Sequence, residues 1–334
     1  MNSKKILVFG GTGSLGKTLI KRLGADNEVA VFSRDEEKHW TIKNHYKGYN
    51  LRFFVGDIRD YSRVKDVINT YRPDDLIIAS ALKQVDTCEL SPDESIKTNI
   101  LGIQNVVDAV ENTIHDNMRV CMVSTDKACS PVNVYGMCKA IAERVVLSRS
   151  LHSNKNVKFV ATRYGNVLES RGSIIPLFKY QAQTADHLTI THPEMTRFVM
   201  TLDESVDLIM HALINGQSGQ TWIPKLRAMK IIDLAEIFSE RYSKGINTIG
   251  IRPGEKLHES LISHAESIRT VDVGDRYYIE PSHAVVKEDC RMFEYTSESD
   301  NLNKAQLDSY LDGLGIFEKS LSTFIGKSIE EIKS

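Results

Sequence analysis

The chain is expected to fold as an α/β protein, with a doubly wound parallel sheet and a smaller C-terminal lobe. Three observations predict this class. Apolar, β-rich runs alternate with helical patterns through the first half, a glycine-rich turn follows the first run, and the rhythm breaks after residue 164. With 334 residues, 41% hydrophobic and 26% charged, the chain is long enough to bury a full core.

Lys5–Phe9 is the first predicted strand, and Gly10-Gly11-Thr12-Gly13-Ser14-Leu15-Gly16 follows it directly. An amphipathic helix through Thr18, Leu19, Ile20 and Leu23 comes next. Strand, glycine turn and helix form the context that a dinucleotide fingerprint requires. Gly10 permits the tight turn, Gly13 lets the backbone approach a pyrophosphate, and Gly16 allows close packing of helix on sheet. Thr12, Ser14 and Leu15 complete that loop. The second strand, 28–32, ends in Ser33-Arg34 with Lys38 one turn beyond. A hydroxyl and a guanidinium suit a 2′-phosphate, so NADP is expected rather than NAD, for which an acidic residue is usual here. Asp35 follows one place late for that role. Asp57-Ile58, after the strand Leu51–Val55, is placed beside the adenine, or else is an ordinary strand-end turn. Further strands are predicted at 75–79, 119–124 and 157–163, with helices at 97–110 and 134–150.

The densest chemistry lies after the strand at 119–124. Ser124-Thr125-Asp126-Lys127 stands at its carboxyl end, where open α/β sheets bind ligands. Tyr135 and Lys139 follow at helical spacing, so both side chains share one face a turn apart. A lysine charge there would lower the phenol pKa and let the tyrosine exchange a proton with a substrate hydroxyl. Asp126 and Lys127 add an acid and a base at the same point, more than an alcohol oxidation needs.

Composition excludes several classes. A net charge of −2 gives no reason to expect nucleic acid or an anionic membrane as partner. The first strand is expected to start so near Met1 that no signal peptide fits, and no apolar run approaches ~20 residues. Five cysteines show no metal spacing and imply reduced thiols in the cytoplasm; the ten histidines show none either, so no metal is expected.

The chain to about residue 300 resembles the extended short-chain dehydrogenase/reductases that act on nucleotide sugars. Within them it is most similar to the 5-inverting UDP-N-acetylglucosamine 4,6-dehydratases. The resemblance rests on Gly10 to Gly16, Ser33-Arg-Asp-Glu36, Ala81-Leu-Lys-Gln84, Lys97-Thr-Asn99, Ser124-Thr-Asp-Lys-Ala128, Arg163-Tyr-Gly-Asn-Val167, Ser170-Arg-Gly-Ser173, Met195-Thr-Arg-Phe198 and Arg252-Pro-Gly-Glu-Lys-Leu-His-Glu259. It implies a Rossmann core over 1–164, a mainly substrate-binding lobe over 165–300 that can return strands or helices to the core, and a helical tail over 301–334. Position 127 separates branches, since the retaining dehydratases carry Glu where this chain has Lys127. By resemblance, Tyr135 supported by Lys139 takes the C4 hydroxyl proton, Lys127 removes the C5 proton, and Asp126 protonates the departing 6-hydroxyl. Thr125 is expected at the sugar 4-hydroxyl or else is a strand-end capping residue, and Ala81, Lys83 and Asn99 are expected at the cofactor, Lys83 also reaching substrate. Asn99 is equally readable as a buried amide that holds backbone. Asn166, Arg171, Ser173, Pro176 and Lys179 resemble uracil and diphosphate contacts. Arg197 and Arg252 resemble diphosphate clamps, with Glu255 orienting Arg252 or holding ribose. UDP-N-acetylglucosamine is the implied partner, and a homo-oligomer, dimer or hexamer, is expected. A retaining dehydratase, a 4-epimerase and a non-enzymatic NADP sensor are the alternatives, the last disfavoured by the intact catalytic residues.

Overall fold

A computed structural model describes residues 3–115, 117–152, 156–168, 170, 172–284 and 292–318. In chain order the elements begin with β1 (Lys5–Phe9), α1 (Ser14–Leu23), β2 (Glu28–Ser33), α2 (Glu36–His45), β3 (Leu51–Val55), α3 (Tyr61–Tyr71) and β4 (Asp75–Ile78). There follow α4 (Val85–Leu90), α5 (Pro92–Ile96), a π-helical turn (Lys97–Leu101), α6 (Gly102–Glu111), β5 (Met118–Val123), a 3₁₀ turn (Asp126–Ala128), α7 (Val134–Leu147), α8 (Arg149–His152) and β6 (Val157–Thr162). Beyond these lie β7 (Asn166–Val167), α9 (Ile174–Thr184), β8 (His187–Ile190), β9 (Thr196–Met200), α10 (Leu202–Asn215), β10 (Thr221–Pro224), β11 (Ala228–Lys230) and α11 (Ile231–Tyr242). The last are β12 (Gly245–Thr248), β13 (Ser260–Ile262), α12 (His264–Ser267), β14 (Thr270–Asp272), β15 (Arg276–Ile279), β16 (Tyr295–Thr296) and α13 (Lys304–Gly313).

The chain forms two compact units. The larger comprises Met1–Tyr164, Leu202–Lys225 and Ser263–Phe293. Its nine-stranded sheet runs β14-β15-β10-β6-β5-β4-β1-β2-β3, parallel from β10 to β3. The central strands read as near-continuous apolar runs because helices cover both faces; residues 6–9 of β1 and all of β4 are buried. β10, β14 and β15 are strands that the chain beyond residue 164 returns to this sheet, although no local signal had placed them. Here α10 is a 14-residue helix leading back to a parallel strand, and β15 pairs antiparallel with both β10 and β14.

Local signals explain most helix starts. Asp35, Asp60 and Asn133 cap α2, α3 and α7 by accepting from the third residue onward. The expected single helix over 97–110 is instead two pieces, the π-turn and α6, and α5 runs directly into the first of them. A π-turn inserts one extra residue into the helical ladder, and such turns are frequent at functional sites. Here it carries Asn99.

The smaller unit comprises Gly165–Thr201, Leu226–Ile262 and Glu294–Ser334. It holds a three-stranded sheet β11-β9-β7 and the pairs β12-β8 and β13-β16. Phe178, Leu188, Phe238 and Leu307 belong to its separate core.

Candidate active site

Backbone geometry at the glycine turn is tight where the fingerprint needs it. Gly10 has φ +81°, and a Cβ there would lie 2.8 Å from the Ser80 amide nitrogen. A Cβ on Gly16 would stand 2.2 Å from the Gly11 carbonyl oxygen, so any side chain would push α1 off β1. A Cβ on Gly13 would meet only the Gly10 carbonyl oxygen, at 3.5 Å, so this edge of the loop is open. No side chain caps α1. An uncapped helix start with an approachable backbone fits a dinucleotide pyrophosphate. Thr12 is buried, and Ser14 and Leu15 are half-buried in the same loop.

At the end of β2 the Ser33 hydroxyl pairs with Nε2 of buried His39 at 2.8 Å, a contact that sequence reasoning missed. Arg34 is 61% exposed, with its guanidinium 3.7 Å from Asp57. Lys38 pairs with Asp35 at 2.6 Å. Asp57 is gripped by Arg59, whose hydrogen bonds hold its carboxyl below the usual range. Ile58 is buried in the core beside it.

Asn99 is fully buried, and its amide is committed. Its Nδ2 donates to the Leu82 carbonyl at 2.8 Å, and its Oδ1 accepts from the Leu82 N–H at 2.8 Å. It therefore fixes the loop that bears Ala81 and exposed Lys83 instead of offering its amide to a ligand.

The 3₁₀ turn after β5 gathers the acid and the base. Thr125 donates to Asp126 Oδ1 at 2.8 Å, and Lys127 Nζ donates to the same oxygen at 3.1 Å. Asp126 is 1% exposed, and its Oδ2, like Ser124 Oγ, is buried without a partner. Orphaned buried acceptors are costly and mark a place where a ligand group can enter. The backbone N–H of Asp126 bonds the Tyr164 carbonyl at 2.9 Å, which ties the turn to the end of β6.

Tyr135 and Lys139 lie on the buried face of α7. Burial pushes the Tyr135 phenol up to about 12, Lys127 pulls it down, and Asp126 raises it again. The cation acting on the phenol is thus Lys127, where the spacing had pointed to Lys139. Lys139 instead donates to the Val123 carbonyl at 2.6 Å, and burial lowers its pKa to about 8 against the raising effect of Glu143. Gly136 is a further site residue that sequence reasoning missed. A Cβ there would lie 2.2 Å from the Lys127 carbonyl oxygen, so only glycine lets α7 sit this close to the turn. A glycine beside a helical tyrosine was the available signal.

The expected uracil and diphosphate contacts belong to the smaller unit. Asn166 Oδ1 and Ser173 Oγ are buried without partners, Ser173 standing at the start of α9 with Pro176 in its first turn. Lys179 is fully buried on α9. Arg252 is held by Glu255, its Nε at 3.0 Å from Oε1. Arg197 departs from the clamp expected of it. Its Nη atoms donate to the carbonyls of Thr196, Lys256 and Leu257 at 2.7, 3.0 and 3.1 Å, so its fork holds backbone and is not presented to a phosphate. Arg171 lies outside the described residues. Among those residues no cluster of His, Cys, Asp and Glu could hold a metal, and no helix is long and apolar enough to cross a membrane.

A family profile described as polysaccharide biosynthesis protein matches residues 6–281. The chain belongs to that family. It is 40% identical over 294 residues to a UDP-N-acetylglucosamine 4,6-dehydratase (inverting) of Campylobacter jejuni, covering 86% of each chain. It is also 39% identical over 285 residues to a UDP-glucose 4-epimerase of Rickettsia prowazekii, covering 83% of this chain and 82% of that one. Among solved structures, the X-ray structure of Pen from Bacillus thuringiensis superposes with a TM-score of 0.88 at 32% identity, over 94% of this chain and 99% of that one. A dTDP-glucose 4,6-dehydratase of Streptomyces venezuelae shares the fold, with a TM-score of 0.67 at 20% identity.

Proposed function

We propose that the protein is a UDP-N-acetylglucosamine 4,6-dehydratase that inverts C5, giving a UDP-linked 2-acetamido-2,6-dideoxy-L-arabino-hex-4-ulose for surface glycan synthesis. The observation that carries this reading is the Asp126–Lys127 pair at 3.1 Å on the turn packed against Tyr135. NADP fits the open glycine turn and the Ser33-Arg34 strand end, and when bound it supplies oxidation at C4 and reduction at C6. Ala81 and Lys83 flank that cofactor in this reading, and Asn99 shapes their loop.

The chain's own groups move the protons. Tyr135, ionised for this step with the Lys127 ammonium offsetting the burial that opposes its charge, accepts the C4 hydroxyl proton, with Thr125 beside it and Lys139 supporting the helix. The resulting ketone acidifies the C5 hydrogen, which Lys127 removes as a neutral amine. Asp126 gives its proton to the departing 6-hydroxyl. Neutral lysine with protonated aspartic acid holds as many protons as the ion pair seen here, so one transfer across 3.1 Å readies both groups. After elimination Lys127 holds the C5 proton and Asp126 is ionised, which restores the ion pair. After reduction at C6, a proton from solvent reaches C5 on the face opposite Lys127 and inverts the carbon, and Tyr135 gives its C4-derived proton up to solvent. Asn166, Ser173, Arg252 and Glu255 are the proposed contacts for the nucleotide, with Pro176 and Lys179 on the same helix start and face.

The epimerases among the relatives favour a second reading, a 4-epimerase on UDP-sugars, in which the sugar keeps its 6-hydroxyl. Incubation with UDP-N-acetylglucosamine separates the two: mass spectrometry of the nucleotide sugar shows loss of one water for the dehydratase and an unchanged mass for the epimerase. We also read the chain as a homo-oligomer. Leu90, Leu101, Met137 and Ile141 are exposed on the mutually packed helices from α4 to α7, an apolar surface that a second copy would cover.

A further inference from the structure

A chain of buried charges adjoins the catalytic helix, and the proton transfers above make no use of it. Glu143 stands one turn beyond Lys139 and two beyond Tyr135, so the three share a face of α7. Arg163, directly after β6, grips it with Nε at 3.2 Å and Nη2 at 2.6 Å. The same guanidinium donates from Nη1 and Nη2 to Glu266, both at 3.0 Å. Glu143 and Arg163 are 4% and 3% exposed. Glu266 also accepts from the Ser263 N–H and hydroxyl and, at 3.6 Å, from the Cys129 thiol. Cys129 closes the turn that carries Asp126 and Lys127. The triad is net negative by one charge, and it touches both elements that bear catalytic groups.

We propose that Glu143 is a positioning residue: clamped by Arg163, its carboxylate keeps Lys139 protonated and so holds α7 on the end of β5. This deepens the function proposed above and rests on its assignment of Lys139. Glu143 is the ionisable group that acts on Lys139; Tyr135 shares its face of α7, with Lys127, Asp126, Cys88 and Tyr164 acting on or against that phenol, and Arg163 reaches the site through Glu143. Burial depresses the Lys139 pKa to about 8, and Glu143 is the group that opposes this. An isolated ammonium in such a place loses its proton, because desolvation penalises the charged form. A fixed carboxylate one turn away counters that cost. Arg163 in turn aims the Glu143 carboxylate with two hydrogen bonds, and Glu266 balances the guanidinium so that it does not repel the lysine. The sign follows: removing the Glu143 charge makes Lys139 deprotonate at lower pH.

The test is the titration of Lys139, read by carbon-13 NMR of lysine ε-carbons in the full-length protein without substrate, with Lys139→Met assigning the resonance. Glu143→Gln is expected to move the Lys139 titration down by on the order of one pH unit. The alkaline limb of turnover moves down with it. Glu266→Gln takes a carboxylate from the same guanidinium but, acting on the lysine only through Arg163, moves its titration down by clearly less than Glu143→Gln does, and it lowers the melting temperature. Glu143→Asp keeps the charge and restores the wild-type titration, and it remains informative should Glu143→Gln fail to fold. An unmoved Lys139 resonance in folded Glu143→Gln overturns the proposal, as does an equal shift in Glu266→Gln or a wholly lost titration in Glu143→Asp. Because the resonance needs no turnover, a correct shift in a protein that releases no water would leave this inference standing and remove the dehydratase reading alone.

Discussion

At the scale of single residues, the account turns on Asp126 and Lys127, held 3.1 Å apart with Tyr135 against the same turn. Lys127→Ala removes the proposed C5 base. Water loss from UDP-N-acetylglucosamine should fall by about 10²–10⁴-fold, the range that a positioned proton-transfer group contributes. Quenched-flow mass spectrometry measures it, and normal turnover would dismiss Lys127 from the role. Arg34 is the second test. Its guanidinium is 61% exposed and only 3.7 Å from Asp57, so it can turn to a 2′-phosphate. Arg34→Ala should cost NADP about 1.5–3 kcal/mol of affinity, the range for a charged hydrogen bond, and cost NAD little. Calorimetric titration with both cofactors shows the difference, and equal losses would count against NADP preference. The pair at positions 126 and 127 was legible in the sequence because its chemistry is carried by residue type alone. What was not legible was which cation acts on Tyr135. Spacing pointed to Lys139, but the backbone carbonyl of Val123 captures that ammonium, and Lys127 takes the electrostatic role.

At the scale of elements, close approach of α7 to the 3₁₀ turn makes the site compact. Gly136→Ala would place a methyl 2.2 Å from the Lys127 carbonyl oxygen, and a backbone atom cannot swing aside as a side chain could. The variant should fold with a lower melting temperature despite the better helix propensity of alanine. Its turnover should drop by about 10²-fold, the cost of moving catalytic groups by roughly 1 Å. A fully active Gly136→Ala would show that this contact does not position Lys127. The glycine turn, the catalytic helix and the first six strands of the sheet were readable because each has a local signature of period, cap or glycine. The π-turn was hidden, since its extra residue depends on Asn99 reaching the Leu82 peptide 17 positions away in sequence. Arg197 was misread for a similar reason. An arginine in a phosphate-binding motif looks like a clamp until the carbonyls of residues 196, 256 and 257 are known to surround it.

For the whole molecule, the return of Leu202–Lys225 and Ser263–Phe293 to the larger unit was the least legible feature, because nothing local in those segments names the sheet they join. Ser263–Phe293 brings Glu266 to Arg163, and this pairing makes stability depend on pH. Burial acts to raise the Glu266 pKa, but Arg163 outweighs it and holds the group at about 2, below its ordinary 4.5. A carboxylate with a depressed pKa stabilises the fold fully above about 4.5 and loses that contribution as pH falls toward about 2. Urea midpoints should therefore decline through that window, and less steeply in Glu266→Gln; parallel declines would remove Glu266 as a cause. The central claim is inversion at C5 by a lysine base, and the configuration of the first product tests it most directly. Nuclear magnetic resonance coupling constants, taken early in turnover of UDP-N-acetylglucosamine in deuterium oxide, should show an L-arabino 4-keto sugar with deuterium at C5. An early product of D-xylo configuration alone would contradict the account.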